Sequence, residues 1–404
     1  MIIYILLNKN MILLYGYYNY NNFGDELFKF ILIKYLNNKK FEYIISNPKH
    51  INKEYKNLQK VDLILLGGGE IINDFFILPL LNYIKYHNIY NIPICGVSIG
   101  YDNNLPIKYL DFIDKCIFRN NVSIIDDINY YYDNDIVFYL KNYINISTSK
   151  NKIPYTIGYY LIDNIEYNLY NTLIKFTNSL PNNYKINFIV FDNKKDHHII
   201  NKFILDSNLC NDRYEIIIKT NPLDIINEIS KNSKHLCMRF HAHIICYILK
   251  VQFISFPLTN KTRLFNEYHN INYSFDIDKL LYLLDNQNII FKDINFNIEK
   301  LDNIIESLLL PNKLETKNKL LTIWGVYNEI YSNFLKLILN KNKIYNLDYY
   351  INYIIDQIEL NILKKLYTEY RYGLKDKLFK LYHDFDNLSY ELQNNFIKIL
   401  TDLQ

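Results

Sequence analysis

Read from Met11, the chain alternates short apolar runs with longer segments of helical period. Ile12–Tyr15 reads as a strand and Asp25–Leu36 as a helix. Phe41–Ile45 is a strand, a short helical stretch covers 51–59, and Val61–Leu66 is a strand apolar on both faces. Phe75–Tyr86 is a helix, and Ile94–Ile99 and Lys115–Phe118 are further strands. After a polar stretch, Ser147–Pro154, the pattern restarts. Strands over Tyr155–Leu161, Ile186–Phe191, Tyr214–Lys219, His235–Met238 and Val251–Phe256 alternate with helices over Tyr167–Leu180, 195–205, 223–231 and His241–Leu249. Continuous apolar strands separated by helices predict parallel sheets covered on both faces. The expected fold is α/β: two Rossmann-like domains, 1–150 and 151–312, facing a cleft. From Lys313 helical periods run on, broken near Asn340–Tyr345 and Tyr370–Gly373, which predicts a C-terminal helical extension over 313–404.

Charge narrows the function. Lys and Arg number 45 against 42 Asp and Glu, a net +3, and the lysines are spread along the chain. Such a balance gives no electrostatic footprint for nucleic acid. No apolar run reaches the roughly 18 residues of a membrane span. Met1–Leu7 is apolar, but Asn8-Lys9-Asn10 stops it and no cleavage site follows, so residues 1–10 read as a dispensable extension rather than a signal. Cys95, Cys116, Cys210, Cys237 and Cys246 form no C-x-x-C pair and lie mostly in apolar runs, as reduced thiols of a cytoplasmic protein do.

Scarcity points to candidate sites. Asn, Ile, Lys, Tyr and Phe dominate, as AT-rich coding produces, whereas Gly occurs ten times, Arg five times and Ala once, at Ala242. Under that pressure a glycine persists where φ must be positive or where backbone must approach closely. Seven glycines fall in the first hundred residues. They mark three loops: Gly16 through Asn22-Phe23-Gly24-Asp25, then Gly67-Gly68-Gly69-Glu70, then Gly96-Val97-Ser98-Ile99-Gly100. Ligands of open α/β sheets bind at the carboxyl ends of strands. None of the three loops is a G-x-G-x-x-G fingerprint, and no G-K-[ST] loop occurs.

In the second half, Arg239-Phe240-His241 leaves a strand and enters a helix. A helix N-terminus favours anions, an arginine adds a fork matched to phosphate or carboxylate, and a histidine moves protons near neutral pH. His241 and His243, two apart on a helix, do not share a face, which disfavours a metal site. A satisfied buried imidazole is the competing reading of His241. After the next strand, Lys261 and Arg263 are candidates for the same crevice, with Arg263 the better surface charge. Asp133-Asn134-Asp135 is similar to the D-x-D metal motif of some glycosyltransferases, a pattern that also arises readily by chance.

Taken in order, these pieces resemble the polysaccharide pyruvyl transferase family: Gly16…Asn22-Phe23-Gly24-Asp25-Glu26, Asp62…Gly67-Gly68-Gly69, Gly96-Val97-Ser98-Ile99-Gly100, Arg119…Ser123 and Arg239-Phe240-His241…Lys261. The resemblance spans about residues 11–270 and leaves the helical tail unaccounted for. It implies a GT-B-like pair of domains, the first on the acceptor side and the second on the donor side. It also implies transfer of a pyruvyl group from phosphoenolpyruvate to sugar hydroxyls, giving a ketal. Arg239 and His241 match the family's Arg-x-His, which is associated with the phosphoenolpyruvate site, and Lys261 matches a basic residue after the next strand.

On this reading His241 is the acid, with Arg239 beside it as a catalytic residue. Asn22, Gly24, Asp25, Gly67, Gly68, Gly69, Glu70, Ser98 and Lys261 bind substrate, and Asp25 or Glu70 is the base. No metal or other cofactor is expected. The expected partners are a small-molecule donor and a sugar or glycan acceptor, with a homo-oligomer left open. Two alternatives are a GT-B-type glycosyltransferase using a nucleotide-sugar donor and a non-catalytic glycan-binding relative.

Overall fold

In the computed structural model, the described residues are 10–51, 61–86, 92–100, 110, 113–119, 129–144 and 152–309. The helical stretch expected over 51–59, most of residues 1–10 and of the join at 147–154, Ser123 and the extension over 313–404 lie outside them.

The first half forms a six-stranded sheet of β1 (Met11–Tyr15), β2 (Glu42–Ser46), β3 (Leu63–Gly69), β4 (Ile94–Ile99), β5 (Lys115–Phe118) and β6 (Tyr130–Tyr132). Its order is β2-β1-β3-β4-β5-β6, every pair parallel. Helices α1 (Phe23–Asn38) and α2 (Asp74–Tyr86) connect its strands. The strands are apolar on both faces because both are covered: β3 and β4 are buried at every position.

The second sheet holds β7 (Ile153–Tyr160), β8 (Lys185–Ile189), β9 (Tyr214–Ile217), β10 (Asn232–Cys237) and β11 (Ile254–Ser255), in the order β11-β10-β7-β8-β9, again all parallel. Its helices are α3 (Tyr167–Asn178), α4 (Asp196–Asp206), α5 (Pro222–Lys231), α6 (Phe240–Ile248), α7 (Asn260–His269) and α8 (Ile277–Asn286). The restart of the pattern is therefore a second parallel sheet, the outcome that the periodicity predicts.

Three differences from the sequence reading matter. The Gly67–Gly69 triplet does not follow β3 but completes it: Gly67 pairs with Val97 and Gly69 with Ile99. Gly68 and Gly69 have φ of +71° and +81°, so the strand ends in a conformation that side chains resist. The expected strand Val251–Phe256 narrows to Ile254–Ser255, a short edge strand paired with β10, with Ser255 also bridging Tyr273. Last, α9 (Ile298–Leu309) returns to the first sheet. Its Leu301, Ile304, Ile305 and Leu308 are buried. Asp302 accepts from Tyr35 Oη at 2.7 Å and from Lys39 Nζ at 2.7 Å, and Lys115 Nζ donates to Ser307 Oγ at 2.8 Å.

The two sheets meet along α1. The Phe23 amide donates to the Phe191 carbonyl at 2.7 Å, Asn22 pairs with Asp192, and the Phe23 and Phe191 rings lie 4.2 Å apart. One hydrophobic core runs from Leu27 and Ile31 of α1 through Phe191 to Cys237 and Ile244. This apolar seam brings the carboxyl ends of the two sheets together.

Candidate active site

On the first wall, the loop after β1 feeds α1. Asn22 is the N-cap, its side chain accepting from the Gly24 amide at 3.1 Å. Glu26 turns back to accept from the Asn19 amide at 2.6 Å, which fixes the loop. Asp25, in the first turn, stands beside Gly69, where a Cβ would come 3.3 Å from Asp25 Oδ1. Burial pushes the Asp25 carboxyl up to about 7; the Arg119 and Lys261 charges oppose this, and those of Glu26 and Asp192 add to it.

Arg119 leaves the end of β5 with a side chain only 4% exposed. Nη1 donates to Asp135 Oδ2 at 3.2 Å, Nη2 lies 3.7 Å from Glu70, and the guanidinium lies over the Phe240 ring, 4.7 Å from its centre. Gly100 is glycine because this arginine passes it: a Cβ there would lie 2.6 Å from Nη2. Ser98 acts one step further back. Held at φ +51° and fully buried, it accepts from the Ile136 amide at 2.7 Å and so sets the turn that starts at Asp135.

On the second wall, Arg239 is the N-cap of α6. Its Nε donates to the Leu161 carbonyl at 2.8 Å, and Nη2 pairs with Asp196. Asp196 in turn accepts from the Phe191 and Asp192 amides at 2.8 and 2.9 Å. His241 lies in the first turn of α6, its ring against Phe28 at 5.3 Å and directly over Gly24, where a Cβ would clash with Nδ1. Nε2 is buried without a hydrogen-bond partner among the described residues. Burial, and then the charges of Arg119, Lys261 and Arg239, hold the imidazole well below its ordinary range, so it is neutral at pH 7. Lys261 extends from the start of α7 across the cleft to Glu70 Oε1 at 2.9 Å. Burial works to raise the half-exposed Glu70 carboxyl, but Lys261 and Arg119 together hold it below its ordinary value.

The structure thus brings Asp25, Gly69, Glu70, Arg119, His241 and Lys261 to one place, with Asn22 and Gly24 supporting them. Gly67 and Gly68 instead make room inside the first domain: a Cβ on Gly67 would strike Tyr18 Oη, and one on Gly68 the Phe28 ring. His243 is buried on the other side of α6, Nδ1 at 2.8 Å from the Arg239 carbonyl oxygen and Nε2 at 2.7 Å from Ser255 Oγ. Arg263 is exposed and donates to the Pro257 carbonyl at 3.3 Å.

Asp133 and Asp135 do not form a paired ligand. Asp133 accepts from the Asn297 amide at 3.1 Å, tying down the returning chain, while Asp135 caps the Ile136–Asn142 turn and binds Arg119. Sequence reasoning cited Arg119 only within the resemblance and missed Asp196 altogether. Rarity and the position after a strand signal the arginine, but one aspartate among many carries no signal.

A family model for polysaccharide pyruvyl transferases matches residues 22–260, more than half of the chain. The chain belongs to this family of transferase enzymes. No curated protein matches it. Among solved structures it is similar to the UDP-GlcNAc 2-epimerase of Methanocaldococcus jannaschii in complex with UDP-GlcNAc and UDP, at 13% identity and a TM-score of 0.53 over 74% of this chain and 99% of that one. It is also similar to S. aureus MnaA with UDP, at 12% identity and a TM-score of 0.52 over 76% and 99%. The putative UDP-N-acetylglucosamine 2-epimerase of Listeria monocytogenes gives 10% identity and a TM-score of 0.53 over 76% and 98%. At this identity the likeness shows the fold: two GT-B-like α/β domains. Among the described residues, no helix is long and apolar enough to cross a membrane.

Proposed function

We propose that this transferase moves the pyruvyl group of phosphoenolpyruvate onto two hydroxyls of a sugar, forming a ketal and releasing phosphate. The observation that carries the reading is the surroundings of His241 Nε2, a buried atom without a partner among the described residues, on the helix that Arg239 caps and next to the Phe240 ring that Arg119 covers. The charges of Arg119, Lys261 and Arg239 all act on the imidazole. A donor bearing both a phosphate and a carboxylate needs several cations, and Arg119 and Lys261 supply them beside the N-terminus of α6. Glu70 competes with the donor for both cations.

His241 protonates the methylene carbon of the enol. The negative charges of the donor offset the three cations that depress its imidazole, so the bound donor raises the basicity of the group that must hold the proton. A sugar hydroxyl then adds to the central carbon and gives its proton to a base. Asp25 fits that role better than Glu70: a carboxyl near 7 is matched to neutral pH, whereas Glu70 is held ionised by its cations. A second hydroxyl of the same sugar attacks the same carbon as the bond to the phosphate oxygen breaks, and its proton leaves with the departing phosphate. The site lies in the cytoplasm on this reading, where the donor is made.

The test is incubation of the full chain with phosphoenolpyruvate and a panel of sugars, reading phosphate release and the mass gain of one pyruvyl ketal on the sugar. Nucleotide release from a nucleotide sugar, with phosphoenolpyruvate untouched, overturns the reading.

A further inference from the structure

The loops on the acceptor side of Asp25 carry an aromatic cluster that the chemistry above does not use. Tyr17, after β1, stacks on Tyr20 at 4.1 Å with parallel rings. It also makes edge-to-face contacts with Phe75 at 6.4 Å and Phe76 at 5.8 Å between ring centres, both in the first turn of α2. Phe75 is 51% exposed and belongs to a contiguous aromatic group rather than standing alone. The cluster is held in place. Tyr15 Oη donates to the Phe76 carbonyl at 2.7 Å, Asn47 Nδ2 donates to the Tyr18 carbonyl at 3.0 Å, and the Phe75 amide donates to Asn73 Oδ1 at 3.1 Å. Asn73 also donates to the carbonyl of Glu70, so one turn places both Glu70 and Phe75.

The rim of the cluster is polar and comes from both domains. Asp25 stands beside Gly69, just past the loop that carries Tyr17, and Asp192 pairs with Asn22 of that loop. Burial first, and then the charges of Asp192 and Asp25, hold the Tyr17 phenol above its ordinary range. Lys49 and Lys194 stand over the Tyr20 ring at 5.3 and 6.0 Å from its centre. An apolar protein partner is a poor match for a small aromatic surface ringed by charges. A pyranose matches both parts: its C–H face sits against the electron-rich face of an aromatic ring, and its hydroxyls reach carboxylates at the edge.

We propose that Tyr17 and Phe75 form the stacking platform for the acceptor, a hexopyranose whose reacting hydroxyls point toward Asp25. This rests on the transferase reading above. It divides the cleft at Asp25, with the donor's anions on the Arg119–Lys261 side and the sugar ring on the aromatic side.

The experiment uses the full chain with the methyl glycosides of glucose, galactose and mannose as probes. Saturation-transfer NMR reads sugar contact, and calorimetry reads phosphoenolpyruvate binding separately. At least one glycoside receives saturation on the C–H protons of one ring face. Tyr17→Ala and Phe75→Ala each weaken its binding by roughly three- to tenfold and leave phosphoenolpyruvate affinity unchanged, while Tyr17→Phe, which keeps the ring, binds as wild type. Phe75→Ala, at an exposed position, decides the matter should Tyr17→Ala fail to fold. Wild-type sugar binding by Phe75→Ala, or no contact with any of the three glycosides, overturns the platform. Ring-dependent sugar binding without phosphate release from phosphoenolpyruvate keeps the platform and overturns the transferase reading. Phosphate release with unchanged sugar KM in Phe75→Ala does the reverse.

Discussion

Arg119 and Arg239 occupy matching corners of the two domains. Each leaves the carboxyl end of a strand, and each is paired with a buried aspartate that also accepts from backbone amides, Asp135 in the first domain and Asp196 in the second. The corners differ in what is left over. Arg239 directs its Nε at the Leu161 carbonyl and Nη2 at Asp196, so the fork holds the N-terminus of α6 against its own domain. Arg119 keeps one edge on Asp135 and turns the other toward Glu70, Phe240 and the opposite domain. Two scarce arginines therefore do different work: one positions the helix that bears His241, and the other presents charge to the cleft. Equal rarity in sequence says nothing about that difference. It follows from which neighbours satisfy each guanidinium.

The strongest way to break the comparison is to remove the groups between the corners. His241→Gln should keep the fold and lower turnover by about 10²–10⁴-fold, the usual share of general acid catalysis. Turnover with melting temperature measured alongside checks this. Near wild-type turnover would make His241 a packing residue.

Asp25→Asn should lower turnover over a similar range, about 10²–10⁴-fold, and remove the rise of kcat/KM with pH through about 7. Its stability effect has the opposite sign. The Asp25 carboxyl is raised from 3.8 to about 7 in the fold, so its contribution is most favourable below pH 4 and is lost as pH rises to about 7. The variant should therefore melt higher than wild type above pH 7, with the difference vanishing below pH 4. Melting curves across pH decide it.

Next come the arginines themselves. Arg119→Lys should raise KM for the donor by roughly ten- to a hundredfold, because a point charge cannot reproduce the planar fork. Arg239→Lys should lower melting temperature and kcat together, since α6 loses its anchor and His241 its position. Steady-state kinetics beside thermal denaturation separate the two; the same KM effect in both variants would erase the distinction.

The smallest activity effect belongs to His243→Asn. With both ring nitrogens bonded and burial holding the ring at about 4, His243 is a neutral structural group. Its loss should cost about 1–3 kcal/mol of stability and leave turnover near wild type, as chemical denaturation and kinetics will show.

The alternation of apolar runs with helical periods made both parallel sheets legible, because strands covered on two faces must be continuously apolar. The glycines were legible as points of close approach, but not what approaches them: Gly24 meets His241 of the other domain, Gly100 meets Arg119, Gly67 meets Tyr18 and Leu32, and Gly68 meets Phe28. The return of α9 was not legible. An amphipathic helix looks the same whichever sheet it covers, and the bonds of Asp302, Ser307 and Lys300 show that it lies on the first.

The order of elements, the Arg239-Phe240-His241 segment at a helix start and the ordered motifs of the family are properties of the chain read alone, since each depends on residues close in sequence. The division of His241 from His243 was half present there, as helical geometry already turns them apart. The tertiary structure decided the rest: Arg119 facing the cleft, Arg239 tied back to Asp196, Ser98 acting behind Asp135, and Asp25 raised by burial against nearby charges. These depend on the dielectric and the partners that a group meets only once two domains close over it, and no local pattern encodes either.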